Sequence, residues 1–182
     1  MSTRFKISTL EIAGFVSVLA ALRLPFGKEV RSKIDWYPQF NKEKMLLQSS
    51  ISLDPKDLVL MSTLVKRGDE HAKAIRGLQV YAVIEAPRWM WQELDTYKVG
   101  TERLSTESTM HIDAKGLSGE ELMSFKDKLE EGKIHKRIQM FSYQTLRRIY
   151  FQRRNHRLPV WHEFCEWIES LPYAKELITI EK

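Results

Sequence analysis

The chain has one cysteine, Cys165, which excludes an internal disulfide and any zinc site built from several cysteines and fits a reducing, cytoplasmic setting. It also lacks a long apolar run. The most apolar stretch, Ile12 to Leu24, is broken by Ser17 and Arg23 and is too short to span a bilayer. That stretch begins a dozen residues in with no small-residue cleavage site behind it, which predicts a core helix rather than a signal peptide, and no membrane partner. No glycine-rich phosphate loop, Ser/His/Asp set, internal repeat or low-complexity linker is present. His71, His111 and His156 are spaced too irregularly to argue for a metal.

What is present suits one globular domain, 1–182, with 43% apolar and 29% charged residues. A net charge of +5 hints at anionic partners, and the placement of the charges matters more than their sum. Arg4 to Ile7 reads as a short strand, after which Ser8 or Thr9 can cap a helix over Leu10 to Leu24 that stops before Pro25. Pro25, Gly27 and mixed charges then read as a connection to Trp36 and Pro38, and 45–53 fits neither the helical nor the strand period. Asp54 as cap and Pro55 behind it open a helix with Leu58, Met61 and Val65 on one face, closed by Gly68.

The densest stretch is 78–112. Val80, Ala82 and Ile84 alternate with Gln79, Tyr81 and Val83, which predicts a strand. Pro87 then opens a helix that runs to Val99 and ends at Gly100. Beyond it Thr101, Glu102, Arg103, Ser105, Thr106, Glu107, Ser108, Thr109 and His111 form either a polar ligand site or a solvated edge strand. Ser118 and Glu121 are spaced as a capping box for a further helix, with Gly132 as its stop. Pro159 opens a last helix that ends before Pro172 and carries Cys165 on one face with Trp161 and Ile168, a packing position. The pattern is α+β: several helices around a small, mostly antiparallel sheet.

Between these lies a basic segment, 134–157, with Lys136, Arg137, Arg147, Arg148, Arg153, Arg154 and Arg157 among Phe141, Tyr143, Tyr150 and Phe151. A helix over Thr145 to Asn155 would put Leu146, Ile149 and Arg153 on one stripe, so Arg153 emerges on an apolar face and wants a partner. Arg147, Tyr150 and Arg154 form a second stripe, and Arg148 points to water. Three readings follow: a surface helix whose arginine stems cover apolar neighbours, a phosphate or nucleotide site, or a nucleic-acid surface with aromatics for stacking.

Taken together, these stretches resemble the flavin-dependent thymidylate synthases, which methylate dUMP with a reduced flavin and methylenetetrahydrofolate. Lys66, Gly68 and Glu70 end one helix, Leu78 to Glu85 supply a strand, Ala86 and Pro87 the Ala-Pro step, and Pro87 to Val99 the next helix, in the family's order. Thr145 to Arg157 followed by Pro159 to Leu171 is similar to its C-terminal helix pair. The match covers roughly the second two-thirds of the chain, with Asp113 to Phe141 unaccounted for. The family's Arg-His-Arg motif is replaced by Thr96, Tyr97 and Lys98 in one register or Asp95, Thr96 and Tyr97 in another, and Asp69 stands where the family has a histidine. The resemblance implies a pyrimidine nucleotide as ligand, FAD as cofactor and a homo-oligomer. It also implies a nucleotide phosphate on Arg153 or Arg154, with Ser105 or Ser108, Arg103 and Gln92 around the base. A non-catalytic module that binds a nucleotide or nucleic acid through a basic helix, 135–157, is the rival reading.

Overall fold

A computed structural model describes residues 4–41 and 46–181, and side chains outside 33–50. Strands β1 (Lys6–Ala13), β4 (Gln79–Pro87), β5 (Thr101–Thr106) and β6 (Ile134–Ser142) form an antiparallel sheet in the order β1-β4-β6-β5. Strands β2 (Lys33–Asn41) and β3 (Leu46–Ser52) form a separate antiparallel pair. The helices are α1 (Phe15–Arg23), α2 (Pro55–Lys66), α3 (Arg88–Leu94), α4 (Thr109–Ile112), α5 (Gly119–Asp127), α6 (Tyr143–Arg153), α7 (Pro159–Glu169) and α8 (Ala174–Leu177). The α+β expectation holds. None of the described helices is long and apolar enough to cross a membrane.

Alternation in the two central strands decides which face is covered. Val80, Ala82 and Ile84 lie opposite Phe141, Gln139 and Arg137, and all six are buried. Helices α6 and α7 contribute Leu146, Ile149, Trp161, Phe164, Trp167 and Ile168 to the same core. Phe164 anchors this aromatic cluster, with its ring 5.9 Å from that of Phe141 and 5.3 Å from that of Trp167. Burying each such side chain is worth roughly 1.5–3 kcal/mol. On the other face Tyr81, Val83, Ile138 and Met140 stay half-exposed.

The helix at 55–66 forms as predicted, with the Asp54 carboxylate accepting from Lys56 N at 2.9 Å. Five local expectations are corrected. Ser8 and Thr9 are not caps: the strand continues to Ala13, and α1 starts only after Gly14, whose φ of 99° turns the chain. A Cβ on Gly14 would lie 2.0 Å from the Gly77 carbonyl oxygen, so this close approach fixes the corner. Residues 33–41, read as a connection, are β2; 46–52 are β3, and Met45 lies outside the described residues. Helix α3 ends at Leu94 rather than Val99, because Tyr97 turns inward and Asp95 pairs with Arg137. Pro87 is its N-cap rather than its first residue. Helix α5 stops at Asp127, short of Gly132, and Ser118 makes no side-chain cap bond.

The fifth correction has the largest consequence. The first half of the basic segment, 134–142, is a strand paired on both sides, and 107–133 supply the connection from β5 that carries α4 and α5. Helix α6 follows at once, capped by Ser142 Oγ, which accepts from Thr145 N at 3.2 Å.

Candidate functional site

Helix α6 delivers its arginines to different environments, as its stripes predict. Arg147 is buried, and its Nη1 donates to the Ile178 carbonyl at 2.6 Å and the Ile180 carbonyl at 2.5 Å. Desolvation lowers its pKa from the ordinary value, and the charge of Asp69 works against that shift. Arg148 points outward and makes no ion pair among the described residues. Arg154 Nη1 donates to Glu181 Oε1 at 3.0 Å, a bond that raises its pKa. Phe151 lies between two guanidinium groups, 4.7 Å from that of Arg147 and 4.9 Å from that of Arg154.

These side chains surround a cavity of about 480 Å³, together with Gln144, Gln152, Asp69 and Glu181. Its size is in the range that takes a small organic ligand. Three arginines against two carboxylates leave the wall net positive, and an aromatic ring sits among the donors. Chemically the arrangement can hold an anion by charge-assisted hydrogen bonds and pack a planar group against Phe151.

The other expected residues do not converge there. Arg153 turns inward, donating from Nε to the Tyr97 hydroxyl and from Nη1 to Glu93 Oε2, both at 2.9 Å. Its guanidinium also lies 4.3 Å from the centre of the Trp161 ring, so the partner it wants is supplied internally. Arg103 and Ser105 are exposed on the edge strand β5, where a bulge sets Arg103 opposite Gln139 but Ser105 opposite Ile138, neighbours on different faces. The solvated-edge reading describes this strand. Ser108 caps α4 by accepting from His111 N at 3.3 Å. Gln92 donates to Glu131 Oε2 at 3.0 Å.

A second pocket of about 320 Å³ opens between α3, α5 and the ends of β5 and β6, with Gln92 on its rim and Trp91, Lys126, His135 and Arg137 among its walls. Desolvation, followed by the charges of Arg88 and Lys133, pushes the His135 pKa below its ordinary value. The Arg137 guanidinium stacks 4.2 Å from the Trp91 ring centre and pairs with Asp95 at 2.5 Å. This pocket was not foreseen because 134–142 was not recognised as a strand; Arg137 within a strand register was the available signal. Among the described residues no group of three or more His, Cys, Asp or Glu side chains can hold a metal ion. Cys165 is buried and burial pushes its thiol up to about 11, which suits packing.

No family model and no curated protein matches the sequence. Solved structures do. A crystal structure of the flavin-dependent thymidylate synthase ThyX from Helicobacter pylori, complexed with FAD and dUMP, is similar with a TM-score of 0.66 at 12% identity, covering 96% of this chain and 98% of that one. A second structure of the Helicobacter pylori enzyme with FAD and dUMP is similar with a TM-score of 0.65 at 11% identity, covering 96% and 97%. The chain therefore has the flavin-dependent thymidylate synthase fold over nearly its whole length, including the first third and the segment 113–141 that the sequence resemblance left out.

Proposed function

We propose that this protein is a thymidylate synthase-like nucleotide-binding protein whose cavity on α6 takes a pyrimidine nucleotide. Arg154 and Arg148 hold the phosphate, Phe151 packs against a planar group, and Gln144 and Gln152 offer amide hydrogen bonds. The observation that carries this reading is the convergence of two outward arginines and an aromatic ring on one cavity of about 480 Å³. The solved structures of the same fold hold dUMP, which makes a pyrimidine nucleotide the first ligand to test. Arg153 serves as a positioning residue that holds the end of α6, and Glu181 is the group a phosphate must displace from Arg154.

The enzymatic form of this reading transfers a one-carbon unit or hydride to the pyrimidine with a flavin. The residues at the Arg-His-Arg place do not fit that cofactor in the family's manner. Asp95 is an acid spent on Arg137, Tyr97 is buried against Arg153, and only Lys98 remains as an outward cation. No step through a flavin is derived from them. A homo-oligomer is supported by the half-exposed row of Tyr81, Val83, Ile138 and Met140 across the sheet, an apolar surface that a second copy can cover.

Calorimetric titration with dUMP, dTMP and FAD tests the proposal, repeated on Arg154→Ala and Arg148→Ala. A pyrimidine nucleotide that binds the wild type and binds about tenfold more weakly to either variant is expected, since each removes a charge-assisted hydrogen bond. No binding of any of the three sinks the reading. FAD binding beside the nucleotide would restore the enzymatic form. Binding to single-stranded nucleic acid with a steep salt dependence would favour the rival module instead.

A further inference from the structure

Five buried side-chain atoms among the described residues have no hydrogen-bond partner: Trp91 Nε1, Thr106 Oγ1, His135 Nε2, Arg137 Nε and Gln139 Oε1. Four of the five belong to residues around the pocket between α3 and α5, and none to the α6 cavity. Buried polar groups are almost always paired, so four orphans at one place mark a site rather than scattered imperfections of packing.

The local topology explains the clustering. Thr106 and Arg137 are cross-strand partners at the ends of β5 and β6, and His135 lies two residues before Arg137 on the same strand. Helix α3 lays Trp91 over Arg137, and α5 brings Lys126 from the other side. The chemistry of the orphans is one-sided. The indole N–H and the guanidinium Nε–H can only donate, and the Thr106 hydroxyl and a histidine N–H can donate as well. Lys126 and Arg88 add positive charge. The one carboxylate in the wall, Glu107, already accepts from Lys136 N at 2.9 Å. Arg137 is paired with Asp95 and Arg88 lies 3.8 Å from Glu131, whereas Lys126 donates to the Thr109 hydroxyl, so what the orphan donors lack is an acceptor with several oxygens.

We propose that this pocket binds the phosphate group of a small phosphorylated molecule, at a site separate from the α6 cavity. Trp91, Thr106 and Arg137 donate to its oxygens, and Lys126 and Arg88 balance its charge. A phosphate monoester presents three peripheral oxygens in tetrahedral directions, one for each of these three donors, whereas the two oxygens of a carboxylate lie in one plane. Each orphan atom has less than 1 Å² exposed, so entry of the phosphate moves the Trp91 indole off its present seat. The indole is the natural reporter.

The test is a titration of the ¹⁵N-labelled full chain with inorganic phosphate, and in parallel with glycerol 3-phosphate, at ionic strength held constant with sodium chloride. The Trp91 indole resonance is assigned by its loss in Trp91→Phe. A saturable shift of that resonance is expected, with affinity about tenfold weaker in Lys126→Ala and Arg88→Ala and unchanged in Arg154→Ala. Tighter binding of the ester identifies an esterified ligand, and equal binding identifies free phosphate; both support the site. Lys126 and Arg88 are only half-buried, so their variants keep the fold, checked by an otherwise unchanged spectrum. No saturable shift overturns the proposal, as does a shift that chloride alone produces, one that survives in both variants, or one abolished by Arg154→Ala.

Discussion

Arg153 Nη1 lies 2.9 Å from Glu93 Oε2 and ties the last turn of α6 to α3 across 60 residues of sequence. The same oxygen accepts from Trp161 Nε1 at 3.0 Å, so one carboxylate joins three helices. Of two adjacent arginines, Arg153 is thereby committed to the fold, whereas the ion pair of Arg154 is with the exposed Glu181. Arg153→Ala leaves Glu93 with an unbalanced, partly buried charge and strips a guanidinium from the Trp161 face. It is expected to cost about 2–3 kcal/mol in urea unfolding. Arg153→Lys recovers only part of this, because an ammonium lacks the fork that reaches Tyr97 and Glu93 together. A stability equal to wild type in Arg153→Ala would return that residue to the list of ligand-binding candidates.

Asp57 makes the fold sensitive to acid. It is fully buried and accepts from Arg23, from Ser32 Oγ at 2.7 Å and from Ser32 N at 3.0 Å. Desolvation pushes its pKa up, but the bonds from Ser32 and Arg23 outweigh this and hold the carboxyl below the ordinary carboxylate value. A depressed folded pKa means that stability is fully present above the unfolded value, near 4, and is lost as pH falls through the folded one. Asp57→Asn should therefore flatten the stability profile in that acid window. At neutral pH it should cost about 3 kcal/mol, since Arg23 is left without its counter-charge. Denaturant midpoints measured from pH 7 down to about 2 check both statements.

How much of this was legible in the sequence depends on whether the cause was local. Asp54, Pro55 and the stripe of Met61 and Val65 specify α2 from neighbouring residues alone, and the period-two pattern of Val80, Ala82 and Ile84 specifies β4. Arg153 on an apolar stripe announced its need for a partner, but not that Glu93 would supply it. The strand at 134–142 was hidden because Arg137 and Gln139 stand at buried positions, which breaks the apolar alternation that marks a strand. Arg137 is tolerated there through Asp95 and the Trp91 ring, contacts made across 40 or so residues that no local period encodes. Gly14 is the same lesson in backbone form, since its partner is the distant Gly77 carbonyl.

Cys165 should behave as a buried apolar residue. With its thiol pushed up to about 11 by burial, it has almost no thiolate at neutral pH. Reaction with a thiol reagent such as dithiobis-nitrobenzoate should be negligible in buffer and complete in denaturant, and Cys165→Ala should leave nucleotide binding unchanged. Rapid labelling of the native protein would contradict the buried placement.

Gly100 joins the loop after α3 to the cap of α6. Its φ of 74° lies in the left-handed region, and its carbonyl accepts from Ser142 N at 2.7 Å. A Cβ there would stand 2.5 Å from both Ser142 Oγ and Thr145 Oγ1. Neither hydroxyl can give way freely: Ser142 Oγ caps α6, and Thr145 Oγ1 donates to the Val99 carbonyl at 2.7 Å. Gly100→Ala therefore adds left-handed strain to overpacking and to a weakened cap, for an expected loss of about 3 kcal/mol. Ser142→Ala removes only the cap and should cost about 1 kcal/mol. Because Gly100→Ala already displaces the Ser142 hydroxyl, the double variant should lose less than the sum of the two, a non-additivity that a denaturation cycle measures directly. Strict additivity would mean that the glycine is required for its backbone angle alone.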